Sequence, residues 1–245
     1  MSDFYVGYLP KAPENLRRFL RRVVACLGLL ALVAALVLVL GQAPFAASSF
    51  EFGNNREFEG VVAAKPYAEL LVARPGAVGQ ESAFSRYLLV APGKHGADDL
   101  VAGFDGQRVR LKGQLIYRDG ATMVEVSPGS IVAAGGAAAP QAEKDLGAVT
   151  VTGEIVDSKC YLGVMNPGSG KVHRDCASRC ISGGIPPLFI SNNGEQYLLV
   201  GTDRRALLRD ALRDFIAEPI TVRGELIERG ERKLLNIDPQ TLQHP

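Results

Sequence analysis

The chain of 245 residues contains no Trp and only ten Phe, seven Tyr and three His. So few flat side chains leave no clear stacking platform for bases or sugars, which single-strand binders need. Lys and Arg total 27 against 26 Asp and Glu, a net charge of +1, so no general field exists to attract a polyanion. There is no glycine-rich phosphate loop, no nucleophile elbow, no carboxylate pair at a defined spacing and no C-x-x-C-H haem attachment. These absences leave no positive case for an enzyme or for nucleic acid as a partner. The composition also excludes collagen, coiled coil and wholesale disorder. What is present, 27 Gly and 14 Pro in a chain that is 47% hydrophobic, fits a turn-rich β protein better than a helical bundle.

One hydrophobic run stands apart. Val23 to Leu40 carries no charge, and its 18 residues make about 27 Å of helix, close to the ~30 Å bilayer core. The continuation to Phe45 supplies the remaining reach. Lys11, Arg17, Arg18, Arg21 and Arg22 precede the run against Asp3 and Glu14. The positive-inside rule then predicts residues 1–22 in the cytoplasm, 23–45 as a transmembrane anchor, and everything beyond outside the inner membrane, in the periplasm. A cleaved signal peptide is the competing reading. Its apolar region would be shorter, about 7–15 residues, and QAPFAASS offers only weak cleavage options. Arg17-Arg18 lacks the spacing of a twin-arginine signal. Cys26 within the run reads as a small apolar residue. Residues 1–22 hold five basic and two acidic side chains, so from a total of +1 the exported remainder carries −2.

The rest of the chain repeats itself. Tyr87-Leu-Leu-Val90 matches Tyr197-Leu-Leu-Val200, and Val109–Ile116 matches Ile220–Ile227, at offsets of 110 and 111. Gly60-Val-Val matches Gly153-Glu-Ile at an offset of 93, so the second copy has gained about 17 residues early on, including three of the four cysteines. Lys65-Pro-Tyr67 falls in register with Lys159-Cys-Tyr161. In the first copy, strands are expected at about 57–64, 69–73, 87–91, 108–117 and 122–127. The alternation of Val109 and Leu111 with Arg110 and Lys112 marks a half-buried strand. Arg118-Asp119-Gly120 and Arg229-Gly230 read as hairpin turns. An amphipathic helix is expected from Asp203 to Ile216, capped by Thr202, with Leu208, Ala211, Leu212 and Phe215 on its apolar face. The first copy has a weaker segment there, His95 to Phe104. Five strands with a helix between the third and fourth is the order of an OB barrel. The expected architecture is mainly β, with one transmembrane helix and two tandem OB-like five-stranded barrels at 50–133 and 148–245. The Ala-, Gly- and Pro-rich stretch 134–147 reads as a linker.

The second copy carries the chemistry. Cys160 follows its first strand, then comes a glycine-rich loop, then His173-Arg-Asp-Cys176-Ala-Ser-Arg-Cys180. A helix over 173–180, ended by Gly183-Gly184 and Pro186-Pro187, would place His173, Cys176 and Cys180 on one face. With Cys160 they make a Cys3His set suited to zinc, or to copper with Met165 as an added thioether. A disulfide joining Cys160 to Cys176 or Cys180 is the alternative, natural in an oxidising compartment. A redox-active thiol pair is a third, with Lys159, Arg174 and Arg179 near enough in sequence to favour a thiolate.

The string G-E-I-V-D-S-K-C, followed by H-R-D-C-A-S-R-C-I-S-G-G-I-P, a Tyr-Leu-Leu-Val strand and V-R-G-E-L, resembles a group of bacterial exported OB-like domains over about residues 150–240. They share Asp-x-x-Cys and a downstream His-x-x-Cys-x-x-x-Cys, matched here by Asp157, Cys160, His173, Cys176 and Cys180. The resemblance implies an exported OB-like fold and no particular activity. The expected role is a membrane-anchored periplasmic accessory or assembly protein beside a membrane redox or respiratory complex, its Cys/His site structural or metal-binding. A copper or zinc chaperone or sensor, a thiol-disulfide oxidoreductase, and an oligonucleotide- or glycan-binding module are the alternatives.

Overall fold

The computed structural model describes residues 11–41, 48–74, 84–136, 143–207 and 209–244. The chain divides into two compact units, Met1–Phe45 and Ala46–Pro245. The first is a single helix, α1, Glu14–Gly41, with no buried residue. Its 28 residues are long and apolar enough to cross a membrane. Arg17 and Arg18 pair with Glu14 in its first turns, at 3.9 and 3.3 Å.

The second unit is mainly β. In chain order its elements are β1 (Ser48–Phe50), β2 (Arg56–Ala63), β3 (Glu69–Ala73), β4 (Phe84–Ala91), β5 (His95–Gly96), the one-turn α2 (Asp98–Val101), β6 (Arg108–Arg118), β7 (Ala121–Val126), β8 (Val132–Ala133) and β9 (Glu143–Asp157). A wide turn (Cys160–Val164), a short 3-10 turn (Lys171–His173) and α3 (Arg174–Ser182) follow. They lead to β10 (Pro187–Ser191), β11 (Gln196–Gly201), a 3-10 segment (Arg209–Phe215), β12 (Ile220–Arg229) and β13 (Arg232–Ile237). The strand β9 begins at Glu143, inside the stretch expected to be linker; residues 137–142 of that stretch lie outside the described residues.

The later strands close a five-stranded barrel in the order β10-β11-β13-β12-β9, with β11 and β13 parallel. The earlier ones pair in the corresponding ring, β2 to β3, β3 to β4, β4 parallel to β7, β7 to β6 and β6 back to β2. Alternation explains the half-buried strands. Along β6, Val109, Leu111 and Ile116 are buried, while Arg110 and Lys112 face solvent and pair with Glu59 and Glu57. The hairpin at Asp119-Gly120 has both residues at positive φ, 49° and 79°, which a tight β-turn of this hand requires.

The two sheets share a core. One cluster fills the earlier ring (Leu70, Leu89, Leu111, Val124) and another the later one (Phe189, Leu199, Leu212, Leu235). A third joins Leu88, Val90, Ile116 and Met123 to Leu188, Leu198, Val200 and Leu234. The two Tyr-Leu-Leu-Val strands are therefore apolar on both faces because their outer faces meet at this seam. Tyr67 crosses it as well: its hydroxyl donates to the Leu199 carbonyl at 2.9 Å and accepts from the Leu207 amide at 3.2 Å.

The helix expected over Asp203–Ile216 is not formed. Arg204 takes a left-handed conformation (φ 59°), its amide closes a tight turn on the Gly201 carbonyl, and Asp203 Oδ1 accepts from the Arg205 amide. That local competition with helix geometry leaves only the 3-10 segment 209–215. Thr202 caps no helix, Leu208 lies outside the described residues, and Ala211 is exposed while Leu212 and Ile216 carry the burial. His95 to Phe104 forms β5 and α2 instead of a continuous helix.

The Tyr67 hydroxyl gives a direct test of the seam. Tyr67→Phe leaves the buried Leu207 amide without this acceptor and should cost about 1–3 kcal/mol. Chemical denaturation of the detergent-solubilised full chain should show a lower midpoint at an unchanged slope; an unchanged midpoint would mean the contact contributes nothing.

Candidate metal centre

The site begins where β9 ends. Asp157, fully buried, turns its carboxylate in two directions. Oδ1 accepts the Cys160 amide at 2.8 Å and so starts the wide turn that carries the thiol. Oδ2 meets His173 Nε2 at 3.0 Å. His173 stands at the start of α3, one residue before its first turn, and Cys176 and Cys180 follow on the helix at a spacing that keeps them on one face. The helix stops where glycine was expected to stop it. The Gly183 amide donates to the Arg179 carbonyl, the Gly184 amide to the Ile181 carbonyl, and Gly184 adopts φ 102°.

Ligand atoms of Cys160, Cys176 and Cys180 all lie within 4.8 Å of one another, and so do those of Asp157, Cys160 and His173. The four expected ligands are thus found as two triads that share Cys160, with Asp157 as the added partner of His173. Cys160 Sγ and Cys176 Sγ are 3.9 Å apart. Thiolates bound to one zinc at about 2.3 Å stand roughly 3.8 Å from each other, so this spacing suits a shared ion. It is well beyond the ~2.05 Å of a disulfide, and all three are free thiols. Met165 follows the wide turn with its amide on the Cys160 carbonyl at 3.3 Å; the residue is 46% exposed.

The cation beside the thiols is not one of those nearest in sequence. Lys159 points away: its ammonium, almost completely buried, binds the Glu125 carboxylate of β7 and the carbonyls of Ala91 and Gly93 at 2.9 and 2.7 Å. Arg174 pairs with Glu218 at 2.7 Å. Lys94, from the loop between β4 and β5, places Nζ 2.7 Å from Cys176 Sγ and 3.6 Å from Cys180 Sγ. Nothing in the local sequence marks Lys94; the nearest signal is its place in the Pro92–Gly96 turn after the duplicated Tyr-Leu-Leu-Val strand.

The thiols are electrostatically unequal. The hydrogen bond from Cys160 and then the nearby Lys94 charge pull the Cys180 thiol down to about 7, against the burial that opposes them. The same hydrogen bond to Cys180, with burial and the Asp157 carboxylate, pushes Cys160 upward. Lys94 is itself raised, chiefly by its hydrogen bond to Cys176. No family model, curated protein or solved structure matches the chain.

A lowered thiol pKa fixes the pH at which the metal-free protein reacts. Alkylation by iodoacetamide, read at Cys180 by peptide mass mapping of the full chain, should rise through pH 6–8 and then level, because that thiol is pulled down to about 7. Only an ordinary thiol profile, still climbing at about pH 8.5, would contradict the pairing.

Proposed function

We propose that the chain is a membrane-anchored, exported protein that binds one soft metal ion, zinc(II) or copper(I), through Cys160, Cys176 and Cys180. The observation that carries this reading is the meeting of three free sulfurs within 4.8 Å. Thiolates are soft donors, which zinc(II) and copper(I) accept and hard oxygen-seeking cations do not. His173, steadied by Asp157 at 3.0 Å, is the candidate for a fourth position, in the way a carboxylate fixes the ring of a metal-bound imidazole. Support for the export reading comes from the basic residues on the N-terminal side of α1 and from the resemblance to exported OB-like domains. In this reading the role is that of an accessory or assembly factor for a membrane redox complex, holding or passing on its metal. A duplicated barrel would then present the site outside the cytoplasm on a fixed tether.

One observation favours a second reading. A thiol pulled down to about 7 beside two other thiols is also the start of a thiol-disulfide exchange site. The two readings separate in one experiment. Full-length protein purified from membranes in detergent should contain about one zinc or copper per chain with three reduced thiols outside α1, and Cys176→Ser should lose the metal. Metal-free protein with one free thiol outside α1 favours the exchange site or a structural bridge and ends the metal reading.

Topology is checked separately. A C-terminal fusion to an enzyme that folds only outside the cytoplasm should be active, and the matching cytoplasm-dependent reporter silent. The reverse pattern would remove the export part of the reading.

A further inference from the structure

The loop between β4 and β5 belongs to the earlier ring yet ends against the thiols of the later barrel. Three restraints put it there. The Lys159 ammonium holds the carbonyls of Ala91 and Gly93, just before Lys94, while it is itself bound to Glu125. The Gly96 amide donates to the Gly183 carbonyl at 3.0 Å. The missing side chain at Gly183 admits the loop backbone, since a Cβ there would sit 1.7 Å from the Lys94 carbonyl oxygen. Of the nearby cations of the later barrel, Lys159 is engaged with Glu125 and both Lys171 and Arg174 with Glu218, while Arg179 is exposed on α3 and makes no hydrogen bond or ion pair to the sulfurs. Lys94 is the cation aimed at the sulfurs, 2.7 Å from Cys176 and 3.6 Å from Cys180.

We propose that Lys94 is a positioning residue of the metal centre, donating from outside the ligand shell to the Cys176 and Cys180 sulfurs, so that the centre is complete only while the two rings are docked. This rests on the metal reading above. Three thiolates around a divalent ion carry one net negative charge, and the ammonium at Cys176 cancels it. A donor to a ligating sulfur also fixes the direction of the lone pair left for the metal. The earlier ring has no cysteine of its own, and this contact gives it a part in the site.

The test uses the full chain in detergent, with cobalt(II) as the spectroscopic probe and a competing chelator to read affinity. Lys94→Met should weaken cobalt binding about 10–100-fold and shift the sulfur-to-cobalt charge-transfer band. Lys94→Arg, which keeps a cationic donor, should restore most of both. Thermal melting should be nearly unchanged in the two variants, because Lys94 is exposed. Wild-type affinity and an unshifted band in Lys94→Met would overturn the proposal. A metal-free readout separates it from the reading it rests on: at one fixed pH, alkylation of Cys176, followed by peptide mass mapping, should slow in Lys94→Met. Slower alkylation in a chain that takes up no cobalt would end the metal reading and keep Lys94 as the partner of the thiols; unchanged alkylation would end both.

Discussion

The buried ammonium of Lys159 is the constraint from which the rest of the arrangement follows. A charge with a side chain only 3% exposed is costly to desolvate, and one carboxylate rarely offsets that cost alone. Here Glu125 supplies the opposite charge and the carbonyls of Ala91 and Gly93 take up the remaining donors. The four groups come from both rings, so the register of one against the other is set to within a hydrogen bond. Lys159 also stands between Asp157, which aims the Cys160 turn, and Cys160 itself. One short segment of chain therefore fixes the seam through one residue and begins the thiol site through its neighbours on either side.

Around that polar point the seam is apolar. Leu88 and Val90 on one side and Leu198 and Val200 on the other belong to a single buried cluster, which also takes in Tyr67 and Tyr161. Arg118 adds a guanidinium stacked 4.1 Å from the Tyr161 ring centre and donates to the Tyr161 carbonyl. Arg232 reaches back to Glu69 at 2.7 Å. Each ring thus keeps its own interior and gives up one outer face to the other. That division decides which strands look amphipathic in sequence and which look wholly apolar.

The strands were legible because their chemistry is local. Period-two alternation and glycine turns placed β2, β3, β6 and β7 within a residue of where they lie, and the two Tyr-Leu-Leu-Val strings fall inside β4 and β11. The helix that carries Cys176 and Cys180 was legible for the same reason, its end written in Gly183-Gly184. The segment after Thr202 was not, since Asp203 and Arg204 form a turn that the apolar spacing of Leu212 and Phe215 conceals. The cation beside the thiols is not legible in the sequence for a different reason. Lys159 adjoins Cys160 along the chain, but its side chain crosses the seam away from the sulfur, whereas Lys94 is 82 residues from Cys176 and meets it only through tertiary packing. Likewise the Asp157–His173 contact joins residues 16 apart and divides the four expected ligands into two triads. Spacing along one helix cannot encode such a division.

The two triads give the cluster a direction. On the inner side, Asp157, Cys160 and His173 are buried, and Cys180, burial and the Asp157 carboxylate push the Cys160 thiol upward. On the outer side, Cys176 is only half-buried and faces the exposed Lys94. An incoming ion must replace protons to be held by thiolates, and the proton most firmly retained is the deepest one. Capture would then start at Cys176, proceed to Cys180, whose thiol gives up its proton most readily of the buried pair, and finish at Cys160. On the metal reading proposed above, such a site would meet an ion at its exposed edge, at Cys176, and hold it against the two buried sulfurs of Cys160 and Cys180.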